Sequence, residues 1–208
     1  MKKKPIPFFP NTLVGRLLQL RVAVVLSNWI FQGMRYMNWY ERAMKLALDA
    51  LCVCILMSVF PEFPVVCAFI LAHTGNWMCN GHLFVLLRYV KPMSVELARF
   101  SDYASDIGRR AERWPGVDGV AIFGSFCRGG IHKHSDLDVR VIVASGVRAG
   151  FSGALFCVVE RCRAFWSRFP LDIYSSKGVQ GLYRLRRDEL PVVIFDRSGL
   201  LADHFGKT

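Results

Sequence analysis

The sequence predicts an α+β fold: a small mixed β-sheet with flanking helices, preceded by an N-terminal apolar helical hairpin. Three observations predict it. Short runs of β-branched and aromatic residues at 117–126, 139–143, 169–174 and 192–195 alternate with helical periodicity in the second half of the chain. Two long apolar stretches, 46–60 and 65–87, occupy the first half and are separated by Pro61-Glu62-Phe63-Pro64. Basic charge is unevenly placed, with 11 Lys and Arg against 4 Asp and Glu in residues 1–100, and 16 against 12 in the remainder. The natural division is a basic region, 1–92, and a domain, 93–208.

Within the first region, residues 12–34 form an apolar stretch interrupted by Arg16 and Arg21. It reads as an amphipathic helix lying in a membrane interface, its arginines snorkelling toward anionic headgroups. Lys2, Lys3 and Lys4 then act as an electrostatic tether. A cleaved signal peptide fits poorly, because Arg21 breaks the apolar run and no small-x-small site follows.

The hairpin comes next. Its first stretch, 46–60, falls short of the roughly 20 residues that span a hydrocarbon core, while 65–87 is long enough. His73, Asn76 and Asn80 recur at i, i+3 and i+7 on one helical face, and polar groups in lipid demand partners. The stripe is therefore expected to face the neighbouring helix or a partner protein. Arg42 and Lys45 precede the hairpin and Arg88 and Lys91 follow it, which puts both ends on the cytoplasmic side. The competing reading is a buried helix pair in a soluble homo-oligomer. A mean hydropathy of +0.29 is high for a soluble chain of this length. The 7 cysteines are odd in number and form no Cys-x-x-Cys, which points to reduced thiols rather than disulfides or zinc.

The second region opens with Leu97, Phe100, Ala104, Ile107, Ala111 and Trp114 at three- and four-residue spacing, an amphipathic helix that ends at Pro115-Gly116. The run VDGVAIFGSF at 117–126 is a strand ending in Gly124-Ser125, where the backbone can turn tightly and present N–H groups to an anion. A second strand, 139–143, contains a single charge, Arg140. A helix over 153–167 is expected to turn Leu155, Val158, Val159, Cys162 and Phe165 inward. A strand bearing Asp172, a short basic helix over 179–188 and a last strand at 192–195 complete the plan.

Chemistry is concentrated between the first two strands. Asp136 and Asp138 stand at i and i+2, so extended backbone projects both to one side. Carboxylates that close repel unless a cation shares them, and a hard divalent ion with oxygen ligands is the simplest resolution. Arg128, followed by Gly129-Gly130, offers a planar cation able to fork onto phosphate oxygens. His132 and His134 lack a second matched pair and read as solvated loop residues.

Gly124-Ser125-Phe126-Cys127-Arg128-Gly129, five linking residues and then Ser135-Asp136-Leu137-Asp138 resemble the signature of the DNA polymerase beta-like nucleotidyltransferase superfamily, in its minimal nucleotidyltransferase branch. The resemblance covers roughly residues 95–199. It implies that Asp136 and Asp138 hold two metal ions, Mg²⁺ or alternatively Mn²⁺, with Asp172 ligating one of them near an acceptor hydroxyl. It further implies that Gly124 and Ser125 grip the β and γ phosphates of an NTP such as ATP, with Arg128 neutralising them and Ser135 completing the nucleotide-binding set. Cys127 departs from the small residue usual there, and His132-Lys133-His134 is unusually basic, which leaves nucleotide preference open. Asp172 also has a plainer reading, an acid at a strand end paired with a nearby arginine.

The function expected is metal-dependent transfer of a nucleoside monophosphate from an NTP to an acceptor at the cytoplasmic membrane face: a lipid-linked or sugar phosphate, or a partner protein. The alternative from another class is a noncatalytic, nucleotide-sensing partner subunit of a membrane enzyme such as a glycosyltransferase. Modification of nucleic-acid ends ranks below both. The sequence pI of about 9.6 favours it, but no stacking platform of aromatics interleaved with arginines is visible.

Overall fold

The computed structural model describes residues 21–80, 83–87, 94–184 and 190–206. In chain order the elements are α1 (Arg21–Phe31), α2 (Trp39–Val59), α3 (Val65–Asn80), α4 (Leu83–Leu87), α5 (Leu97–Glu112), β1 (Val117–Phe123), β2 (Leu137–Val143), α6 (Val147–Trp166), β3 (Leu171–Lys177), β4 (Val192–Asp196) and α7 (Leu200–Phe205). One-turn 3₁₀ segments at Met34–Tyr36 and Val179–Arg184 lie before α2 and after β3. Several sequence expectations fall outside the described residues: Lys2 to Lys4, Arg16 with the rest of 12–20, Arg88, Lys91, and the tail of the basic helix at 185–188.

The sheet has four strands in the order β3-β2-β1-β4. β1 pairs antiparallel with both β2 and β4, and β2 pairs parallel with β3. The chain is thus α+β with a mixed sheet, as its periodicity implies. Alternation sorts the side chains cleanly. Val120, Ile122, Leu137, Val139, Val141, Leu171 and Ile173 face α5 and α6 and form the main core with Phe100, Ile107, Ala111, Phe156 and Cys157. Ala121, Phe123 and Ile142 point the other way, where Leu182 and Leu201 cover part of the second face. The helices are pinned to each other by Arg110, whose Nε and Nη2 donate to the two oxygens of fully buried Glu160 at 2.7 Å each.

α6 corrects the expected helix in two ways. It starts at Val147 rather than near 153, and Leu155 is exposed while Phe156, Cys157, Glu160, Arg161 and Ala164 are buried. The cause is that α6 is covered twice, by the sheet on one side and by α2 and α3 on the other. Close approach on both sides demands small residues. A Cβ at Gly153 would collide with Val143, and one at Gly150 would collide with the Tyr40 ring.

The hairpin is helical, and its polar stripe faces the neighbouring helix as expected, which leaves the apolar side outward. Glu41, Lys45, Asp49, His73, Asn76 and Asn80 are buried, while Val59, Val66, Phe69 and Leu71 on the outer side are each about half exposed or more. The buried groups satisfy one another. His73 Nδ1 lies 2.9 Å from Asp49 Oδ2 and 2.9 Å from Gln32 Nε2, Asn76 donates to Asp49 at 2.8 Å, and Lys45 Nζ donates to Gln32 at 2.9 Å. Lys45 is therefore an interior member of this network and not a charge flanking a membrane segment. Burial, reinforced by the nearby Arg161 charge, lowers its pKa from 10.5 to about 7.

The expectation that 65–87 spans a bilayer finds no support among the described residues. The described part of that stretch before residue 81, α3, has 16 residues and reaches about 24 Å against a hydrocarbon core of about 30 Å. Among the described residues no helix is long and apolar enough to cross a membrane.

The polar chain continues into the sheet. Asn80 Oδ1 accepts from Arg161 at 3.3 Å, and Arg161 donates to Glu41 Oε2 and to the Ile173 carbonyl, both at 2.5 Å. The other Glu41 oxygen accepts from the Ser175 N–H at 2.5 Å and its hydroxyl at 2.7 Å. Asn38 caps α2 by accepting from the Glu41 N–H at 3.0 Å, and its amide donates to Ser175 Oγ at 2.7 Å. β3 is an edge strand, so the hairpin's entry turn occupies backbone groups that would otherwise be open for pairing.

Candidate active site

The parallel pairing of β2 with β3 places Asp138 directly opposite Asp172, and the antiparallel pairing of β1 with β2 places Phe123 opposite Asp138. Because Leu137, Val139, Leu171 and Ile173 face the helices, Asp138 and Asp172 both project from the opposite face of the sheet. Asp136 precedes Asp138 by two residues, just ahead of the strand. The chain reverses immediately after Phe123. Gly124 has φ +78°, and a Cβ there would collide with Asp138 Oδ2, so glycine is required both by the turn and by the carboxyl packed beneath it.

That turn runs from Gly124 to Gly129. It is held by the Gly130 N–H donating to the Ser125 carbonyl at 2.9 Å and by the Cys127 thiol, 2.7 Å from the Ile122 carbonyl. The departure at Cys127 thus has a local role, latching the turn to the end of β1. Ser125 is partly exposed and Arg128 exposed at its rim. Ser135 lies at the base of the same loop. It is buried, and its Oγ accepts from the His132 N–H at 3.0 Å, so it closes the loop that delivers Asp136. His132 is exposed and His134 partly so.

Electrostatics single out Asp138. Burial first, and then the charges of Asp172 and Asp136, push its carboxyl from an ordinary 3.8 up to about 8, against the opposing pull of Arg140. Asp172 stands opposite Asp138, and its Oδ2 lies 3.6 Å from Arg140 Nη2 in a mostly buried pair, the arginine partner its plainer reading expects. Arg140 was visible in the sequence as the lone charge of the run 139–143 but carried no assigned role. Its guanidinium also donates to the carbonyls of Val139 and Asp172 and lies over the Tyr174 ring, 5.0 Å from its centroid.

All three acids offer hard oxygen donors, and the mutual repulsion that raises the Asp138 carboxyl is what a shared divalent cation relieves, so the donor set suits one. Among the described residues, however, no three His, Cys, Asp or Glu side chains already converge around a common point at ligating distance. The neighbouring Asp172 carboxyl is one of the groups that raise the Asp138 pKa.

Comparison with curated proteins and with solved structures returned no match. Comparison with protein families did. Residues 107–190, from the middle of α5 through β3, match the family described as nucleotidyltransferase domain, and that domain generally uses an NTP and divalent metals. The matched segment contains the Gly124-Ser125 turn and all three acids, and it supports nucleotidyl transfer, a transferase activity, as the chemistry of this site.

Proposed function

We propose that the chain transfers a nucleoside monophosphate from an NTP to an acceptor at the cytoplasmic face of a membrane. The observation that carries the transfer reading is the register of Asp138 against Asp172 on the open sheet face, beside a glycine turn that fits no other residue. Backbone N–H groups of the Gly124-Ser125 turn would cradle the terminal phosphates, with Arg128 at the rim to neutralise them. Asp136, Asp138 and Asp172 would hold divalent ions, Mg²⁺ first. When bound, such ions neutralise the triphosphate and the charge that develops during in-line displacement. The chain's own contribution is positioning: Cys127 fixes the turn, Ser135 fixes the loop, and Arg140 holds Asp172.

The membrane part rests on the outward apolar side of the hairpin. Leu51, Ile55, Val59, Phe60, Val65, Val66 and Phe69 present a broad apolar surface, larger than isolated surface residues require. With no described helix able to cross, the hairpin would lie on the bilayer or dip into one leaflet. The lipid-linked phosphate, sugar phosphate and partner-protein acceptors remain the candidates.

Mass spectrometry of the purified protein with membrane lipids, after incubation with each labelled NTP and Mg²⁺, tests donor and acceptor together. A labelled adduct is expected with at least one nucleotide. Intact nucleotide with all four would contradict transfer. One observation favours a second reading, a noncatalytic sensor subunit docked on a membrane enzyme: the acids are not gathered at ligating distance among the described residues. Calorimetry separates the two, since nucleotide binding with Mg²⁺ but without pyrophosphate release is the sensor's signature.

A further inference from the structure

Beside the acids, on the β3 side, the protein contains a second concave feature. It is a cleft of about 600 Å³ that includes Arg35, Arg42, Arg140, Lys177, Tyr36 and Tyr174 in its lining, and among the described residues no acidic side chain lines it. Two parts of the chain build it. The β3 end and the following 3₁₀ segment form one wall, and the entry turn of the hairpin forms the other. Gly178, at φ +66°, turns the chain out of β3, and a Cβ at Gly181 would collide with Ser176 Oγ, so the 3₁₀ segment is seated directly on the strand. Arg42 Nε donates to the Met34 carbonyl at 2.9 Å, which holds that arginine against the opposite wall. Lys177 Nζ sits 4.6 Å from the centre of the Tyr40 ring.

Arg140 joins this cleft to the acids. It lines the cleft, stands two residues beyond Asp138 on the same strand and pairs with Asp172 at 3.6 Å. The acids are thus bracketed: the anion-accepting Gly124-Ser125 turn lies on the β1 side, and a basic cleft with tyrosine rings 6.0 Å apart lies on the β3 side. One triphosphate accounts for the turn. It does not account for a separate cleft with four cationic side chains, of a size that suits a small ligand.

We infer that the cleft binds the phosphate of a phosphorylated acceptor, with Arg35, Arg42, Arg140 and Lys177 as its anion contacts and Tyr36 and Tyr174 against its ring or chain. This deepens the transfer reading above and rests on it for the word acceptor. Phosphate recognition itself stands independently. Four guanidinium and ammonium groups, of which Arg140 is shared with Asp172, favour a dianion over a neutral ligand. The phosphate could belong to a soluble sugar phosphate or to a lipid headgroup, and the two share this chemistry.

The test is calorimetric titration of the full chain with inorganic pyrophosphate in EDTA, so that no metal assists binding at the acids. Saturable binding is expected, weakened about tenfold or more in Arg42→Ala/Lys177→Ala. Lys177→Ala alone, compared by thermal melting, guards against a folding defect and should weaken binding in the same direction. Unchanged affinity in the cleft variant would place the anion elsewhere and overturn the inference, as would no saturable binding by the wild type. Vesicles of phosphatidylcholine with phosphatidic acid distinguish the sources. Competition with pyrophosphate assigns a headgroup, and its absence a soluble phosphate. Because no turnover is read, failure of nucleotidyl transfer leaves this result unaffected.

Discussion

On the sheet side of α6 the protein buries Phe156, Cys157 and Ala164 against β-branched strands, whereas on the hairpin side it buries Arg161, Glu41, Lys45, Asp49 and His73 and leaves Leu51, Ile55, Val66 and Phe69 outside. The two sides are held by different forces. Burial of apolar side chains stabilises the sheet side by about 1.5–3 kcal/mol for each large residue removed from water. The hairpin side depends on hydrogen bonds worth about 1 kcal/mol net each, and on a buried ion pair whose desolvation offsets most of its attraction. Such a network specifies one arrangement more than it stabilises it. The apolar energy of α2 and α3 is left unspent on their outer surface.

Breaking the network should therefore hurt more than trimming that surface. The largest effect is expected for Glu41→Ala, which leaves Arg161 buried without its carboxylate and opens Ser175 at the sheet edge. The loss should be about 3–5 kcal/mol in denaturant unfolding, similar to that of Phe156→Ala on the sheet side. A loss below about 1 kcal/mol would mean that the hairpin is not docked as described.

Lys45 sharpens the comparison through pH. Its folded pKa is lowered to about 7 from 10.5, so the folded protein gives up this proton before the unfolded chain does. Stability should accordingly rise with pH, by about 2 kcal/mol between pH 7 and 9, as the folded amine becomes neutral while the unfolded one stays charged. Lys45→Met should flatten that rise, whereas parallel pH profiles would contradict the burial. A smaller loss of about 1 kcal/mol is expected for Asn38→Ala, which removes the α2 cap and its bond to Ser175. Smallest of all is Phe69→Ser, within about 0.5 kcal/mol in solution because the ring is half exposed. Flotation with anionic vesicles should nevertheless detect it as weaker association, and unchanged flotation would count against the lipid-facing role of this surface.

What could be read from the residues follows the same divide. α5 was legible because it presents one face to one core, so period and burial coincide at Phe100, Ala104, Ile107 and Ala111, and the strands were legible from their short β-branched and aromatic runs. The acids and the Gly124 turn were legible because their spacing is a local property of adjoining strands. α6 was not, because cover on two sides erases a single stripe and exposes Leu155 where an inward residue was expected. In the hairpin, apolar content was plain, but content does not say which side is buried. The i, i+3, i+7 stripe of His73, Asn76 and Asn80 held that information, and Lys45 and Asp49 complete it from α2. The role of Arg140 depends on the parallel register of β3, a long-range pairing that no local spacing reveals.

Everything claimed for function converges on the acids that share the open face of the sheet. Metal-dependent pyrophosphate release from NTP by the purified chain, measured beside Asp138→Asn, tests that claim most directly. Release by the wild type with Mg²⁺ should fall by about a thousandfold in the variant, whose circular dichroism stays unchanged. Equal release by both proteins would contradict it.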